Sequence, residues 1–360
     1  MKTGIAHLPL HYGRAPHWLF QKMKLLAREI SLAVLHEYGR QEFLNRISDP
    51  YWFQGLGCIL GFDWHSSGLT TTVCGALKEG LKGLQTETGI FIAGGKGNTS
   101  RKTPLEIENY LQKFSVNTSA QDLVYASRMS AKVDSAAVQD GYQLYHHCFF
   151  FIKEGQWAVV QQGMNEESRW ARRYHWLGED VRDFVCEPHK AVCSHEKKQI
   201  LNMVAAGSSD SRHCSVTLCR EKPLKLITEI KNIQRLDMPK RHGIRAEDFK
   251  TKNLEKVLIS TYEQKPPDYE TLLGTKGVGP KTVRALALLS EFIYNVKPSQ
   301  TDPVRYSFAH GGKDGIPFPV DRKQYDHSID TLRTALKDAK IGYSDKLRAF
   351  KKLARFEKSG

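Results

Sequence analysis

The chain has 360 residues, 40% hydrophobic and 26% charged, room for two cores at about 150 residues per domain. Fifty-three Lys and Arg against 39 Asp and Glu leave a net charge of +14, which attracts polyanions: nucleic acid first, an anionic membrane second. No apolar run approaches the ~18 residues of a membrane span, and the first residues lack the apolar core of a signal peptide, so a cytoplasmic protein with no membrane partner is expected.

In chain order, the sequence reads as extended to about residue 13, and Pro16 opens a helix. Leu19, Met23, Leu26, Ile30, Val34 and Tyr38 recur at helical spacing until Gly39, and a second helix begins near Gln41. Residues 55–68 are rich in glycine and aromatics and read as a tight turn or a site; 69–84 is helical again. The apolar run 90–93 is strand-like. It leads into a basic loop, Gly94-Gly95-Lys96-Gly97-Asn98-Thr99-Ser100-Arg101-Lys102-Thr103, and then a helix over 105–114 after Pro104. Residues 142–152 and 157–161 are β-branched and aromatic runs broken by Lys153-Glu154-Gly155-Gln156, which predicts a hairpin. From about Thr228 the pattern is helical: 254–262, 269–273 and 280–294. Residues 302–319 are loop-like, and 344–356 form a basic amphipathic helix. The fold class expected is α+β: a mixed α/β region over 1–220, then a mainly α-helical region over 221–360 containing a helix-hairpin-helix.

The most informative string is Leu272-Leu273-Gly274-Thr275-Lys276-Gly277-Val278-Gly279-Pro280-Lys281-Thr282-Val283-Arg284. Gly277 and Gly279 permit a tight turn and let backbone approach a phosphate without a Cβ in the way. Pro280 starts a helix whose first N–H groups and dipole favour an anion. Val278 points into the core. Lys276, Gly277, Val278, Gly279, Lys281, Thr282 and Arg284 are therefore the expected DNA-binding set, with contacts to phosphates and not to bases. Lys96, Arg101 and Lys102 of the basic loop join them as backbone contacts. That loop lacks the spacing of a P-loop.

Asp63-Trp64-His65-Ser66-Ser67 gathers a carboxylate, an imidazole and two hydroxyls, as an acid–base pair or as a turn whose polar groups satisfy one another. Arg169, Arg172, Arg173, His175 and Arg182, interleaved with Trp170, Tyr174 and Trp176, form a basic and aromatic strip. At helical spacing Arg169, Arg172 and Arg173 share a face suited to phosphate. The seven cysteines, Cys58, Cys74, Cys148, Cys186, Cys193, Cys214 and Cys219, are odd in number with no CxxC, which speaks against a disulfide scaffold and for a reducing compartment. Cys186-x2-His189-x3-Cys193-x-His195 is only loosely zinc-like, and no metal site is assigned.

The 272–284 string resembles the second half of a helix-hairpin-helix of the base-excision DNA glycosylase superfamily. That resemblance implies Lys281, directly after Gly-Val-Gly-Pro, as a catalytic nucleophile, and Asp321 of Phe318-Pro319-Val320-Asp321-Arg322 as its carboxylate partner. The 40 positions between them exceed the spacing of the compact members. The whole chain is similar to a family of archaea and bacteria catalogued as a domain of unknown function. It matches at Thr3-Gly4-Ile5-Ala6 with Leu8-Pro9-Leu10, at residues 60–68, at 93–97, at 99–104 and at Tyr306-Ser307-Phe308-Ala309-His310-Gly311-Gly312-Lys313-Asp314-Gly315. This resemblance spans nearly the full length and names no reaction. Three readings stand: a DNA glycosylase/lyase of repair or genome maintenance, a noncatalytic protein that recognises DNA structure, and a nuclease with its site in the N-terminal region. Only the last would call for a cofactor, a divalent metal.

Overall fold

A computed structural model describes residues 16–62, 66–233, 251–304 and, beyond these, 330, 333–334, 336–338 and 342–358. Helix α1 (His17–Ser48) begins after Pro16 and is kinked at Gly39, where φ is 82°. Asp49 caps α2 (Pro50–Leu60), its carboxylate accepting from the Tyr51 and Trp52 amides. Helices α3 (Gly68–Gly80) and α4 (Gln85–Thr88) follow. Residues 55–60 of the glycine-rich stretch are thus helix and not a turn. Glycine at position 57 lets α2 and α3 touch, since a Cβ there would lie 2.3 Å from Leu69 Cγ.

Strand β1 (Ile90–Lys96) runs through a 3-10 turn (Gly97–Lys102) into α5 (Thr103–Lys113), then α6 (Ala120–Lys132) and a π-helical turn (Val133–Ala137). Strands β2 (Val138–Gln139), β3 (Gln143–Ile152), β4 (Trp157–Asn165), β5 (Trp170–Leu177), β6 (Ala191–Cys193) and β7 (Gln199–Asn202) come next. The hairpin expected over 153–156 joins β3 to β4. Helices α7 (Ser209–Leu218), α8 (Pro223–Ile233), α9 (Thr251–Gln264), α10 (Tyr269–Gly274) and α11 (Pro280–Tyr294) precede β8 (Ser299–Thr301) and α12 (Tyr343–Lys358).

The strands form a five-stranded antiparallel sheet, β1-β3-β4-β5-β6, and a three-stranded one, β2-β7-β8. Alternation along β3 sends Cys148, Phe150 and Ile152 to one face, packed with α1, α2 and α3, and Phe149 and Phe151 to the other, packed with α5, α6 and α7–α11. The larger sheet therefore lies between two helical layers, and the second core joins residues on both sides of position 220. Both faces being dry explains the near-continuous apolar reading of β3. Among the described residues no helix is long and apolar enough to cross a membrane.

The basic strip at 169–176 is strand β5 and not a helix face, and both its central arginines are buried at 0% exposure. Neither offers itself to an external phosphate. Arg172 donates from Nη1 to Asp140 (3.0 Å) and from Nη2 to Asp302 (2.9 Å), and lies over the Tyr142 ring. Burial alone disfavours its charge, but the two carboxylates outweigh that and hold its pKa above the ordinary arginine value. Replacing Asp302 by Ala removes one partner of a buried charge and should destabilise the protein by about 3–5 kcal/mol in denaturant unfolding. A loss below about 1 kcal/mol would show the triad to be dispensable.

His175, fully buried on β5, has Nδ1 3.2 Å from the Ile47 carbonyl. Burial, and then the neighbouring Arg173 charge, push its pKa well below the usual imidazole value. The folded ring is neutral, so below about pH 6.5 unfolding takes up a proton. The stability this ring contributes at neutral pH is lost as pH falls below that point. His175→Leu should flatten the acid limb of the stability–pH profile by up to about 1.4 kcal/mol per pH unit; an unchanged slope would show the ring already protonated in the fold.

Candidate functional site

The hairpin at 275–279 is built by local rules. Asp268 caps α10, accepting from the Thr271 amide at 2.7 Å, and Leu272 and Leu273 bury its inner side. Thr275 closes that helix through its hydroxyl on the Thr271 carbonyl, and the Val278 amide returns to the Thr275 carbonyl at 3.2 Å. The turn requires glycine at 277, where φ is +91° and a Cβ would also press on Val257 at 3.1 Å. Val278 is the anchor, 1% exposed. Gly279 is extended at φ −141°, and Pro280 takes the first position of α11, whose start no side chain among the described residues caps. Gln139 of β2 holds this helix start to the sheet: its Nε2 donates to the Pro280 carbonyl (2.7 Å) and its Oε1 accepts from Arg284 Nε (2.8 Å).

The outward surface of the hairpin carries Lys276, Gly277, Pro280 and Lys281, all exposed. Thr282 is buried, and Arg284 is half-buried with its Nε committed to Gln139. Lys96, Arg101 and Lys102 are exposed on and beside the 3-10 turn, which packs on β1, β3 and α5, elements other than those that carry the hairpin. Lys96 lies over the Tyr145 ring, 5.8 Å from its centroid. Asp321, the Asp63-Trp64-His65 triplet and the 306–315 string lie outside the described residues.

Two buried polar groupings draw His146, His147, Cys148 and His189, members of the scattered cysteine and histidine population of the sequence, together with distant residues. Asp134, on the π-helical turn, accepts from Gln161 Nε2 (2.6 Å), Trp176 Nε1 (3.0 Å) and His189 Nε2 (2.5 Å). His147 Nδ1 donates to Gln161 Oε1 (2.7 Å), which leaves its Nε2 to accept from Ser127. His189 also lines a cleft of about 390 Å³ with Glu187, Asn202, Thr301 and Asp302. The second grouping is Cys74 of α3 with His146 and Cys148 of β3. Their ligand atoms all lie within 4.8 Å of one another, the sole such His/Cys/Asp/Glu cluster among the described residues. The 186–195 set does not converge: His189 is on Asp134, Cys193 is buried on β6 beside Arg173, and His195 stacks on Trp170. All seven cysteines are unbridged.

The fold and these sites define an α+β protein with an antiparallel sheet between helical layers and a glycine hairpin at the surface. The chain belongs to the family described as Protein of unknown function (DUF763), whose model matches residues 4–320. No curated protein and no solved structure matches it.

The two hairpin glycines have different physical requirements. Gly277→Ala forces a strained φ and a close contact, and should cost about 1–2 kcal/mol. At Gly279 the backbone is extended and the nearest atom to an added Cβ is the Gly277 carbonyl oxygen at 3.9 Å. Gly279→Ala should leave stability within about 0.5 kcal/mol of the parent. Equal losses in chemical denaturation would contradict this assignment.

Proposed function

We propose that the chain binds DNA through its backbone phosphates, with the 275–279 hairpin and the first turn of α11 as the contact. The observation that carries this is Gly279. Among the described residues nothing requires glycine there, since the backbone is extended and a Cβ would meet only the Gly277 carbonyl oxygen at an ordinary contact distance. The small residue serves an approach from outside. Beside it are an uncapped helix start, which favours an anion, and two exposed cations, Lys276 and Lys281. The net charge of +14 adds long-range attraction. Such contacts fix position without reading sequence, which suits DNA repair or genome maintenance inside a reducing cell.

Binding should be largely independent of sequence. With roughly four phosphates neutralised, affinity for a duplex should fall about a hundredfold between about 50 and 200 mM salt. Gly279→Val should weaken it at least about tenfold while the circular dichroism spectrum stays that of the parent. Lys276→Gln combined with Lys281→Gln should lower the salt slope by about two. A flat salt response, or parental affinity in a folded Gly279→Val protein, would falsify the reading. A borohydride arm on abasic DNA separates binding from lyase chemistry: a covalent complex lost in Lys281→Gln would make Lys281 the amine that attacks the sugar.

A further inference from the structure

We propose that Cys74, Cys148 and His146 are ligands of a buried zinc ion that ties α3 to the central sheet. His146 and Cys148 are two apart on β3 and so project from the same face. That face packs against α3, which supplies Cys74. Each of the three residues is 1% exposed. Ligands about 2.0–2.3 Å from zinc at tetrahedral angles sit roughly 3.5–3.8 Å apart, and the three ligand atoms already lie within 4.8 Å of one another. Two thiolates and an imidazole are the soft donors that zinc prefers over magnesium or calcium.

Independent support comes from His146 itself. Among the described residues neither of its ring nitrogens has a hydrogen-bond partner, although the side chain is buried. An imidazole with both nitrogens dry and unmet costs several kcal/mol by the usual scale for buried polar groups, and a metal bond relieves one of them. Two thiolates balance the charge of a divalent ion, which makes the site neutral where charge is costly.

Elemental analysis of the purified full-length chain should find about one zinc ion per chain. After removal with a chelator, cobalt(II) should restore the metal and give the intense thiolate-to-cobalt charge-transfer band. Cys74→Ser, Cys148→Ser and His146→Ala should each lose most of the bound metal, whereas Cys186→Ser, at a cysteine outside the cluster, should retain it. Metal-free protein with no cobalt band overturns the proposal. So does full zinc content in folded Cys74→Ser or Cys148→Ser, or a Cys74–Cys148 disulfide in the protein as isolated under reducing conditions. If a ligand variant fails to fold, the zinc content and cobalt spectrum of the parent still decide.

Discussion

The structure depends on a buried cation shared by two carboxylates. Arg172 sits in the middle of β5, Asp140 follows β2, and Asp302 follows β8, so one guanidinium joins the five-stranded sheet to both outer strands of the smaller one. The carboxylates are otherwise used: Asp140 also accepts from the Tyr174 hydroxyl and the Tyr142 amide, and Asp302 from the Lys198 and Val304 amides. A buried ion pair is tolerable only when its remaining lone pairs are satisfied in this way. Gln139 ties the start of α11 to β2, and Asn295, in the left-handed region, closes its end. The exposed hairpin is thus tied at its root to the smaller sheet through the bonds of Gln139 to Pro280 and Arg284.

The helical layers give the two candidate sites separate addresses. The hairpin belongs to the core containing Phe149, Tyr174 and Trp176, and the thiol–imidazole cluster to the core containing Phe150, Val160 and the α1–α3 layer. They share no side chain. What lies between them is the sheet, where His146 faces one layer and His147 the other. The bonds of His147 run through Gln161 to Asp134 on the π-helical turn, which leads directly into β2 and Gln139. Polar groups buried this deep specify register as much as they stabilise, since a one-residue slip would exchange the two faces.

Much of the element order was legible because punctuation residues act locally. Pro16 and Pro280 mark helix starts, Gly39 marks the kink, and Lys153-Glu154-Gly155-Gln156 marks the turn between two apolar strands. Strand β5 was not legible. Both of its faces are buried, so polarity does not alternate, and Arg169, Arg172 and Arg173 fall by coincidence at helical spacing. Their charge pointed to the surface, yet the partners that allow Arg172 to be buried are 32 and 130 positions away. Helix α2 was missed for a related reason: it is buried nearly all round, with no amphipathic stripe, and its glycines are packing residues. In the thiol–imidazole cluster, His146 and Cys148 have a strand-like spacing, but Cys74 on another element gives no local sign of convergence.

The hairpin shows where physical reading of a sequence is strong and where structure adds to it. Gly-Val-Gly already implied a tight turn with a buried valine, and only coordinates separate the two glycines. The first is needed by the chain itself, through a positive φ and a close neighbour; the second is needed by nothing among the described residues. A residue with an internal reason says little about partners. One without such a reason, placed between exposed cations and an uncapped helix start, points outward. The same logic applies in the opposite direction to Arg284 and Thr282. Their types suggested phosphate contacts, but burial and the bond to Gln139 give them internal roles. The exposed charge of the hairpin therefore rests on Lys276 and Lys281, and the DNA contact proposed for this turn would be made by backbone and lysine, a combination that attracts without discriminating.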